Sequence, residues 1–342
     1  MVFNLSTLKT SNGVAMLTPI CAGDQEKSTL EATQSWIKEN KSSLQKRLLR
    51  DGALLFRGFP VQNQNDFYSL LELFIGPHEE LLDYTAGISP REKVDKKIYT
   101  STSAPAFVKI LLHPEMCYVK NFPTKVGFYC DQPSTQGGET PLADARQILK
   151  EIPGDIVKIF EDKGIIYHRN MLHLGSLRKL FGKALSPLNA STWNYAFETD
   201  NKEDVEDACR RFGQSYTWNR DQSLTTEARV NAIQKHPETS EEVWFNTIHF
   251  FIHEKYMFGK YLGPVIRLFR KLTGEKFEVF FGDGKVIPSS IKKQVLEIID
   301  KNTWAFQWQK GDVLIIDNYL CMHGRNPYAG YRKIYAGLIG KP

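Results

Sequence analysis

The first part of the chain alternates helical and extended patterns of apolar residues. Apolar positions recur at helical spacing over residues 30–49, and the pair Asp51-Gly52 follows them as a stop signal. A short apolar run over residues 53–56 then leads into a Gly-Phe-Pro turn, which is typical of a buried strand. Helical spacing returns over residues 66–74. This part is therefore predicted to place helices beside one buried strand.

The rest of the chain has strand-like patterns on both sides of a long middle segment. Short apolar runs with strand character occur at residues 110–130, 304–308, 313–317 and 332–338. The middle segment, residues 168–273, mixes irregular stretches with helical spacing, which is clearest at residues 205–212, 225–235 and 264–272. We expect a single domain over residues 1–342, in which one β-scaffold carries the middle segment as a helical, lid-like insertion.

Composition and charge limit the classes of protein to which the chain can belong. The chain has 342 residues, of which 42% are hydrophobic, so it is long enough to bury a large core. Its net charge of +5 comes from Lys and Arg residues spread along the chain, which argues against nucleic acid as a partner. No apolar stretch reaches the roughly 20 residues that span a bilayer. The five cysteines include no C-x-x-C pair and predict no disulfide framework. We expect a cytoplasmic protein with a small-molecule partner and no membrane partner; the pattern indicates no particular oligomeric state.

Two copies of a His-Pro-Glu triplet are the first candidate chemistry. On an extended chain, residues i and i+2 point to the same face, so His113 and Glu115 can reach one ion. Two imidazoles and one carboxylate form the facial triad that holds non-haem Fe(II) and leaves the opposite side of the metal open. The second copy, residues 236–238, follows a charge-rich stretch with helical spacing. We expect that copy to be structural and to lie in a surface loop.

Further motifs follow the first copy in a fixed order. They are a Gly-Gly-Glu-Thr turn at residues 137–140, a Gly-Asp-x-x-x-x-Asp strand at residues 311–317, and His-Gly-Arg at residues 323–325 followed by Arg332. Together with the His-Pro-Glu triplet, these motifs resemble the taurine dioxygenase/clavaminate synthase-like (TauD/TfdA) family of Fe(II)/2-oxoglutarate-dependent oxygenases over most of the chain. The resemblance implies a mainly β fold with α-helices (α+β). Its core would be a double-stranded β-helix, a cupin-like jelly roll, with flanking helices.

The same resemblance assigns roles to individual residues. His323 would be the third metal ligand, so that His113, Glu115 and His323 together hold Fe(II). Arg332, nine residues after His323, would bind the distal carboxylate of 2-oxoglutarate, because a guanidinium fork matches a carboxylate. Thr140 would hydrogen-bond the same co-substrate. Dioxygen would complete the site, and its reaction with 2-oxoglutarate would yield succinate and carbon dioxide while the substrate is oxidised.

Other residues bear on the substrate and on the outcome of the reaction. Arg325 is a rival carboxylate clamp, although we expect it to order the loop after His323 or to contact substrate. Thr102 and Ser103 precede the metal-binding strand and are candidate substrate contacts. Halogenases of this superfamily carry a small residue where this chain has Glu115, so hydroxylation is expected instead of halogenation. Desaturation, epoxidation and ring closure stay open, and the substrate is expected to be small and polar, such as an amino acid or a natural-product intermediate.

Two other classes of protein stay open at this point. A zinc hydrolase could use the same His/Glu/His site, although no second catalytic base follows at helical spacing. A catalytically silent jelly-roll binding module would usually have lost a ligand, whereas all three are present. His249 and His253 are four residues apart and could bind a metal on a helix, but without a further ligand nearby we interpret them as lid histidines.

Overall fold

The computed structural model describes residues 4–9, 15–20, 29–87, 91–102, 104–175, 191–252 and 255–342. Strands and helices make up nearly equal shares of its regular structure, so the fold is more mixed than the mainly β fold expected from the sequence. In chain order they are β1 (Asn4–Lys9), β2 (Ala15–Ile20), β3 (Ala53–Phe56), β4 (Glu80–Leu82), β5 (Lys93–Asp95), β6 (Ile98–Thr100), β7 (Ile110–His113), β8 (Lys125–Gln132), β9 (Gln136–Gly137), β10 (Thr140–Asp144), β11 (Ile165–Met171), β12 (Ser215–Trp218), β13 (Leu224–Val230), β14 (Ile233–Lys235), β15 (Glu242–Trp244), β16 (Lys276–Phe281), β17 (Trp304–Phe306), β18 (Val313–Asp317), β19 (Cys321–Arg325), β20 (Tyr328–Ala329) and β21 (Lys333–Gly340).

The helices are concentrated at the start of the chain and around the middle segment. They are α1 (Leu30–Glu39), α2 (Lys41–Asp51), α3 (Gln64–Leu71), α4 (Ala145–Glu151), α5 (Gly154–Lys163), α6 (Trp193–Ala196), α7 (Lys202–Arg211), α8 (Lys255–Thr273) and α9 (Ser289–Lys301). Short 3₁₀ turns lie at Glu72–Phe74 and Ile248–Phe251. None of the helices among the described residues combines the length and the apolar character needed to cross a membrane.

The large sheet is built around β18. Its strand order is β1-β2-β3-β18-β8-β21-β6-β5, with β4 also paired to β21. Leu314 and Ile316 of β18 belong to one buried cluster, whereas Val313 and Ile315 belong to a second one. Because successive side chains of a strand point to opposite faces, both faces of β18 are covered. This explains why β18 is a continuous apolar run instead of an alternating one.

Helices cover one face of the large sheet and a small sheet lies against the other. Ile37, Leu44 and Phe67 of α1 to α3 pack in the same cluster as Val313. The small sheet has the order β17-β10-β19-β7, and its apolar side chains share the cluster of Leu314. The arrangement leaves the inner faces of two antiparallel sheets opposed to each other, and the candidate site lies between them.

The middle segment and the residues on either side of it form an insertion sheet that the sequence did not predict. Its order is β12-β13-β11-β16, and all of its pairings are antiparallel. The helix predicted over residues 225–235 is wrong, because this stretch contains β13 and β14. Thr226 and Ala228 are buried while Glu227 and Arg229 are exposed, so the burial has the period of two that a strand imposes. The helices predicted at residues 205–212 and 264–272 are confirmed by α7 and α8.

The helices predicted near the start of the chain are confirmed with one break. The helical spacing of residues 30–49 covers two helices. Asn40 lies between them, as the residue that follows α1 and precedes α2. Helix α3 begins after Asn63, whose side chain accepts hydrogen bonds from the backbone N–H groups of Asn65 and Asp66. An asparagine in this position satisfies donors that the first turn of a helix leaves free.

Candidate metal centre

Two histidines meet across neighbouring strands of the small sheet. His113 is the last residue of β7, and it is paired in register with His323 of β19. Directly opposite residues of an antiparallel pair bring their side chains together on one face of the sheet. The centroids of the two imidazole rings are 4.6 Å apart. The strand register therefore places together two residues that are far apart in the sequence.

Glu115 completes a group of three side chains. One potential ligand atom from each of His113, Glu115 and His323 lies within 4.8 Å of the other two. Glu115 Oε2 is 3.5 Å from His323 Nε2. Among the described residues, no other group of at least three His, Cys, Asp or Glu side chains converges in this way. The structure thus brings together the three residues that the sequence singled out as ligands.

The protonation of His113 suits a metal ligand. Its Nδ1 is 2.8 Å from the carbonyl oxygen of Leu111, and because a carbonyl only accepts, Nδ1 carries the proton. The lone pair of Nε2 is then free. Burial and the neighbouring His323 lower the pKa of His113 to about 3, so the ring is neutral at physiological pH. His323 Nδ1 is buried and lacks a hydrogen-bond partner among the described residues.

The second His-Pro-Glu triplet is structural, and Pro237 and Glu238 lie exposed in a turn as predicted, whereas His236 is buried. His236 is only 2% exposed. Its Nδ1 accepts hydrogen bonds from the backbone N–H groups of Glu238 and Thr239, so Nε2 carries the proton and donates to Asp317 Oδ2 at 3.1 Å. Asp317 is the last residue of β18. His236 therefore ties the middle segment to the centre of the large sheet.

Asn318 braces the backbone of the candidate ligand Glu115. The Asn318 Oδ1 accepts a hydrogen bond from Glu115 N at 2.6 Å, and its Nδ2 donates to the carbonyl oxygens of Glu115 and Pro123 at 2.9 and 2.7 Å. Asn318 is completely buried. Since this side chain satisfies both backbone groups of Glu115, it fixes the turn that follows β7.

Replacement of Asn318 by alanine is expected to destabilise the protein by roughly 3 kcal/mol, because it leaves three buried backbone groups without a partner. The free energy of unfolding in urea measures the effect. The exposed Asn231 offers a matched control, for which Asn231→Ala should change stability by less than about 0.5 kcal/mol. Equal stability of the two variants would contradict the bracing role.

Arg91 is a site residue that the sequence analysis missed. Its Nη2 donates to Glu115 Oε2 at 2.7 Å, and the side chains of both residues are only 4% exposed. Burial alone would raise the pKa of Glu115, but the Arg91 guanidinium and His323 hold it well below its usual range. Arg91 is followed by Glu92 and Lys93, so its local sequence resembles that of a surface arginine. Only the fold reveals its position.

A cavity opens beside the three candidate ligands. Its lining consists of Arg91, Ser101, Thr102, Ile110, His113, Phe128, Thr140, His323, Gly324, Arg325, Arg332 and Ile334. The predicted substrate contact Thr102 is thus at the cavity, where its Oγ1 accepts a hydrogen bond from the backbone N–H of Ala104. Ser103, the other predicted substrate contact, lies outside the described residues.

The predicted co-substrate residues Arg332 and Thr140 both reach the cavity. Arg332 Nε donates to the carbonyl oxygen of Gly138 at 3.0 Å, and Thr140 Oγ1 accepts from Trp308 Nε1 at 3.0 Å. Burial and the nearby Arg325 lower the pKa of Arg332 to about 10. Gly138 has a φ of +75°, and a Cβ there would lie 2.4 Å from Ser134 Oγ and 3.0 Å from Arg332 Cδ. The Gly-Gly turn is therefore needed to accommodate the arginine.

Arg325 has a structural role that differs in detail from the one predicted. It donates to the carbonyl oxygens of Ala104, Pro105 and Val108. These residues precede β7, so Arg325 orders the segment before the metal-binding strand instead of the loop after His323. Burial lowers the pKa of Arg325, and the carbonyl dipoles compensate much of the cost of its charge.

His249 lies against the candidate centre, although it is not part of the three-residue group. Its Nε2 donates to the carbonyl oxygen of Leu112 at 2.7 Å, and the residue is 1% exposed. The sequence interpretation of His249 as a lid histidine placed it away from β7, whereas the structure packs it directly on that strand. Its predicted partner His253 lies outside the described residues.

Acidification is expected to destabilise the metal-free protein in part through His249. Burial lowers its pKa from 6.5 to about 4, so the unfolded chain takes up a proton first as the pH falls. The stabilising contribution is complete above pH 6.5 and is lost between about pH 6.5 and pH 4, by roughly 3 kcal/mol at most. Urea unfolding at pH 7 and pH 4.5 should show a smaller loss for His249→Gln than for the wild type. Parallel losses in the two proteins would contradict this assignment.

The fold and the site together define a protein of opposed antiparallel sheets with a two-histidine, one-carboxylate centre between them. The model of the family described as "Taurine catabolism dioxygenase TauD, TfdA family" matches residues 15–338, and the chain belongs to this family. The resemblance read from the sequence motifs is therefore confirmed.

Two relatives and one solved structure are similar to this chain. The chain is 34% identical over 295 residues to the dapdiamide synthesis protein DdaC of Enterobacter agglomerans. The aligned region covers 85% of this chain and 83% of that protein. It is 32% identical over 306 residues to a clavaminate synthase-like protein of Arabidopsis thaliana. That alignment covers 88% of this chain and 86% of the Arabidopsis protein. The structure of a taurine dioxygenase from Burkholderia xenovorans shares the fold, with a TM-score of 0.52, 14% identity and coverage of 99% of this chain and 89% of that one.

Proposed function

We propose that this chain is an Fe(II)/2-oxoglutarate-dependent dioxygenase that hydroxylates a small polar molecule. The observation that carries the proposal is one cavity lined by His113, His323, Thr140 and Arg332, with Glu115 at its edge. A metal-binding triad and a buried arginine beside it are the two features that 2-oxoglutarate requires, since it chelates at one end and carries a carboxylate at the other. Membership of a dioxygenase family supports the same conclusion.

The three candidate ligands fit Fe(II). Neutral imidazoles and a carboxylate are the donor set of non-haem iron sites with open positions. The proton on Nδ1 of His113 leaves Nε2 for the metal, and His323 places its Nε2 3.5 Å from Glu115 Oε2. Halogenases of this superfamily carry a small residue where this chain has Glu115, which supports the proposal of hydroxylation over halogenation.

The remaining residues position the co-substrate and shape the cavity. When bound, Fe(II) and 2-oxoglutarate supply the oxidising chemistry, in which dioxygen is consumed and succinate and carbon dioxide are formed. Arg332 would bind the distal carboxylate, which would offset the cost of its partly buried charge. Thr140 would add a hydroxyl to the same end of the co-substrate. Arg325 holds residues 104–108 against the cavity, and Phe128 and Ile334 provide its apolar wall.

The proposed function extends to the architecture of the chain. We propose that the large and small sheets form a double-stranded β-helix and that the whole chain is one domain. The segment 168–273 would act as a lid, built on the insertion sheet instead of on helices alone. An amino acid or a natural-product intermediate is the proposed substrate class, and the 34% identity to a protein named for dapdiamide synthesis supports it. A zinc hydrolase or a silent binding module would leave Arg332 and Thr140 without a role at this cavity.

Anaerobic titration with Fe(II) and 2-oxoglutarate tests the proposal. The chelated keto acid is expected to give a weak visible charge-transfer band, and 2-oxoglutarate is expected to raise the melting temperature only when the metal is present. A protein that binds iron but shows neither effect would not be a 2-oxoglutarate enzyme. Zinc-dependent hydrolysis without any keto-acid effect would favour the hydrolase instead.

A further inference from the structure

Arg91 has unused hydrogen-bonding capacity in the wall of the cavity. A guanidinium carries five N–H donors, and Arg91 uses its Nη2 for Glu115. Its Nε and Nη1 are buried and have no hydrogen-bond partner among the described residues. Buried donors of a charged group are costly when they lack an acceptor. Within the part of the chain that the structure describes, these two donors of Arg91 therefore lack an acceptor.

The position of the Arg91 guanidinium is fixed before any ligand arrives. Its Cζ lies 4.2 Å from the centroid of the Tyr84 ring, and Nη2 is held by Glu115 at 2.7 Å. Stacking on an aromatic face and a charge-assisted hydrogen bond both restrict the side chain. A ligand would consequently bind without first having to order this arginine, which favours affinity.

Each of the other two arginines of the cavity already has a hydrogen-bonding role. Arg325 donates to three backbone carbonyls, and only its Nε lacks a partner among the described residues. Arg332 donates to the carbonyl oxygen of Gly138 and faces the proposed 2-oxoglutarate site. The summed charge of the site also favours an anionic ligand at Arg91. The charges of Fe(II) and the 2-oxoglutarate dianion cancel, Glu115 offsets one of the three guanidinium groups, and the site keeps an excess of positive charge. An anionic substrate compensates this excess.

We propose that Arg91 binds a carboxylate of the primary substrate, so that the enzyme acts on small carboxylic acids such as free or N-acylated amino acids. The carboxylate would accept hydrogen bonds from Nη1 of Arg91 while Nη2 stays on Glu115. Because Arg91 is bonded to a candidate iron ligand, this contact places the substrate beside the metal. The proposal rests on the proposed function for its iron and 2-oxoglutarate, and it adds the group that selects the substrate.

Paired acids and amides test the proposal directly. The Fe(II)–2-oxoglutarate complex is prepared without oxygen and titrated with proteinogenic amino acids, their N-acetyl derivatives and the primary carboxamide of each. The perturbation of the charge-transfer band reports binding. At least one acid is expected to bind the wild type about tenfold or more tightly than its carboxamide, because the amide lacks the negative charge. Arg91→Met is expected to keep the band but to bind acid and amide within about threefold of each other.

Two further variants separate substrate binding from a structural effect. Arg91→Lys keeps a cation beside Glu115, and we expect discrimination between that of the wild type and that of Arg91→Met. Arg169 is also buried, donates to the carbonyl oxygen of Gly87 and lies outside the cavity lining. Arg169→Met should therefore retain the full preference for the acid.

The outcomes distinguish this proposal from the proposed function. Absence of the charge-transfer band from the wild type overturns the proposed function, and this proposal with it. If the band is present but acids and carboxamides bind equally, or no acid binds, only the role of Arg91 is overturned. The same holds if Arg91→Met keeps the preference for the acid.

Discussion

Replacing His113 by alanine is expected to abolish the Fe(II)–2-oxoglutarate charge-transfer band and to lower succinate formation by more than about 100-fold. Loss of a group that merely orients a ligand costs about 10- to 100-fold in metal affinity or activity, so loss of the ligand itself should cost more. His113 is held for this role, because Leu111 O fixes the proton on Nδ1 and burial keeps the ring neutral. The remaining two side chains, Glu115 and His323, cannot form a facial triad.

The control for this experiment is a histidine that is remote from the centre. His168 lies on β11 of the insertion sheet and pairs with Glu227 at a partly exposed position. His168→Ala should retain both the band and the activity. Urea unfolding of His113→Ala checks that the variant is folded. If His113→Ala binds Fe(II) and 2-oxoglutarate as the wild type does, His113 is not a ligand.

Replacing Arg332 by methionine is expected to raise the KM for 2-oxoglutarate about 10- to 100-fold. A hydrogen bond to a charged group contributes about 1.5–3 kcal/mol, and a factor of ten corresponds to 1.4 kcal/mol. The guanidinium is buried and its pKa is lowered to about 10, so it gains more from an incoming carboxylate than an exposed arginine would. At saturating 2-oxoglutarate the kcat should change little, since Arg332 binds the end of the co-substrate that does not react.

Two other variants serve as comparisons for Arg332→Met. Thr140→Val removes a neutral hydroxyl, for which we expect a smaller rise in KM of about 3- to 10-fold. Arg229 donates to the carbonyl oxygen of Gly282 on the insertion sheet, and Arg229→Met should leave the KM unchanged. An unchanged KM in Arg332→Met would show that another cation, such as Arg325, holds the co-substrate.

Local spacing was sufficient to single out two of the three candidate ligands. The i, i+2 rule for His113 and Glu115 assumes an extended backbone, whereas β7 ends at His113 and Glu115 lies in the turn that follows. The partner His323 was found through its motif, whereas its distance to His113 depends on the register between β7 and β19. Register is set by pairing across the whole sheet, which no single segment of the sequence contains.

The predictions that failed depend on contacts between distant segments. The sequence analysis predicts a helix over residues 225–235, where Glu227 and Arg229 stand among apolar and threonine residues. Pairing with β11 and β12 on both sides makes the stretch a strand. Arg91 was missed for a similar reason, since its buried partner Glu115 lies 24 residues further along the chain. The burial of His236 likewise depends on Asp317, 81 residues away.

The central places in both opposed sheets belong to strands that come late in the chain. β18 lies between β3 and β8, β21 lies between β8 and β6, and β19 lies between β10 and β7. A ribosome therefore synthesises their neighbours β3, β6, β7, β8 and β10 first, and these strands lack a main partner until residues 313–340 have left the exit tunnel. Such a topology delays folding until this segment has been synthesised and exposes unpaired strand edges in the meantime. We expect nascent chains that stall before residue 313 to depend on chaperones and to be degraded readily.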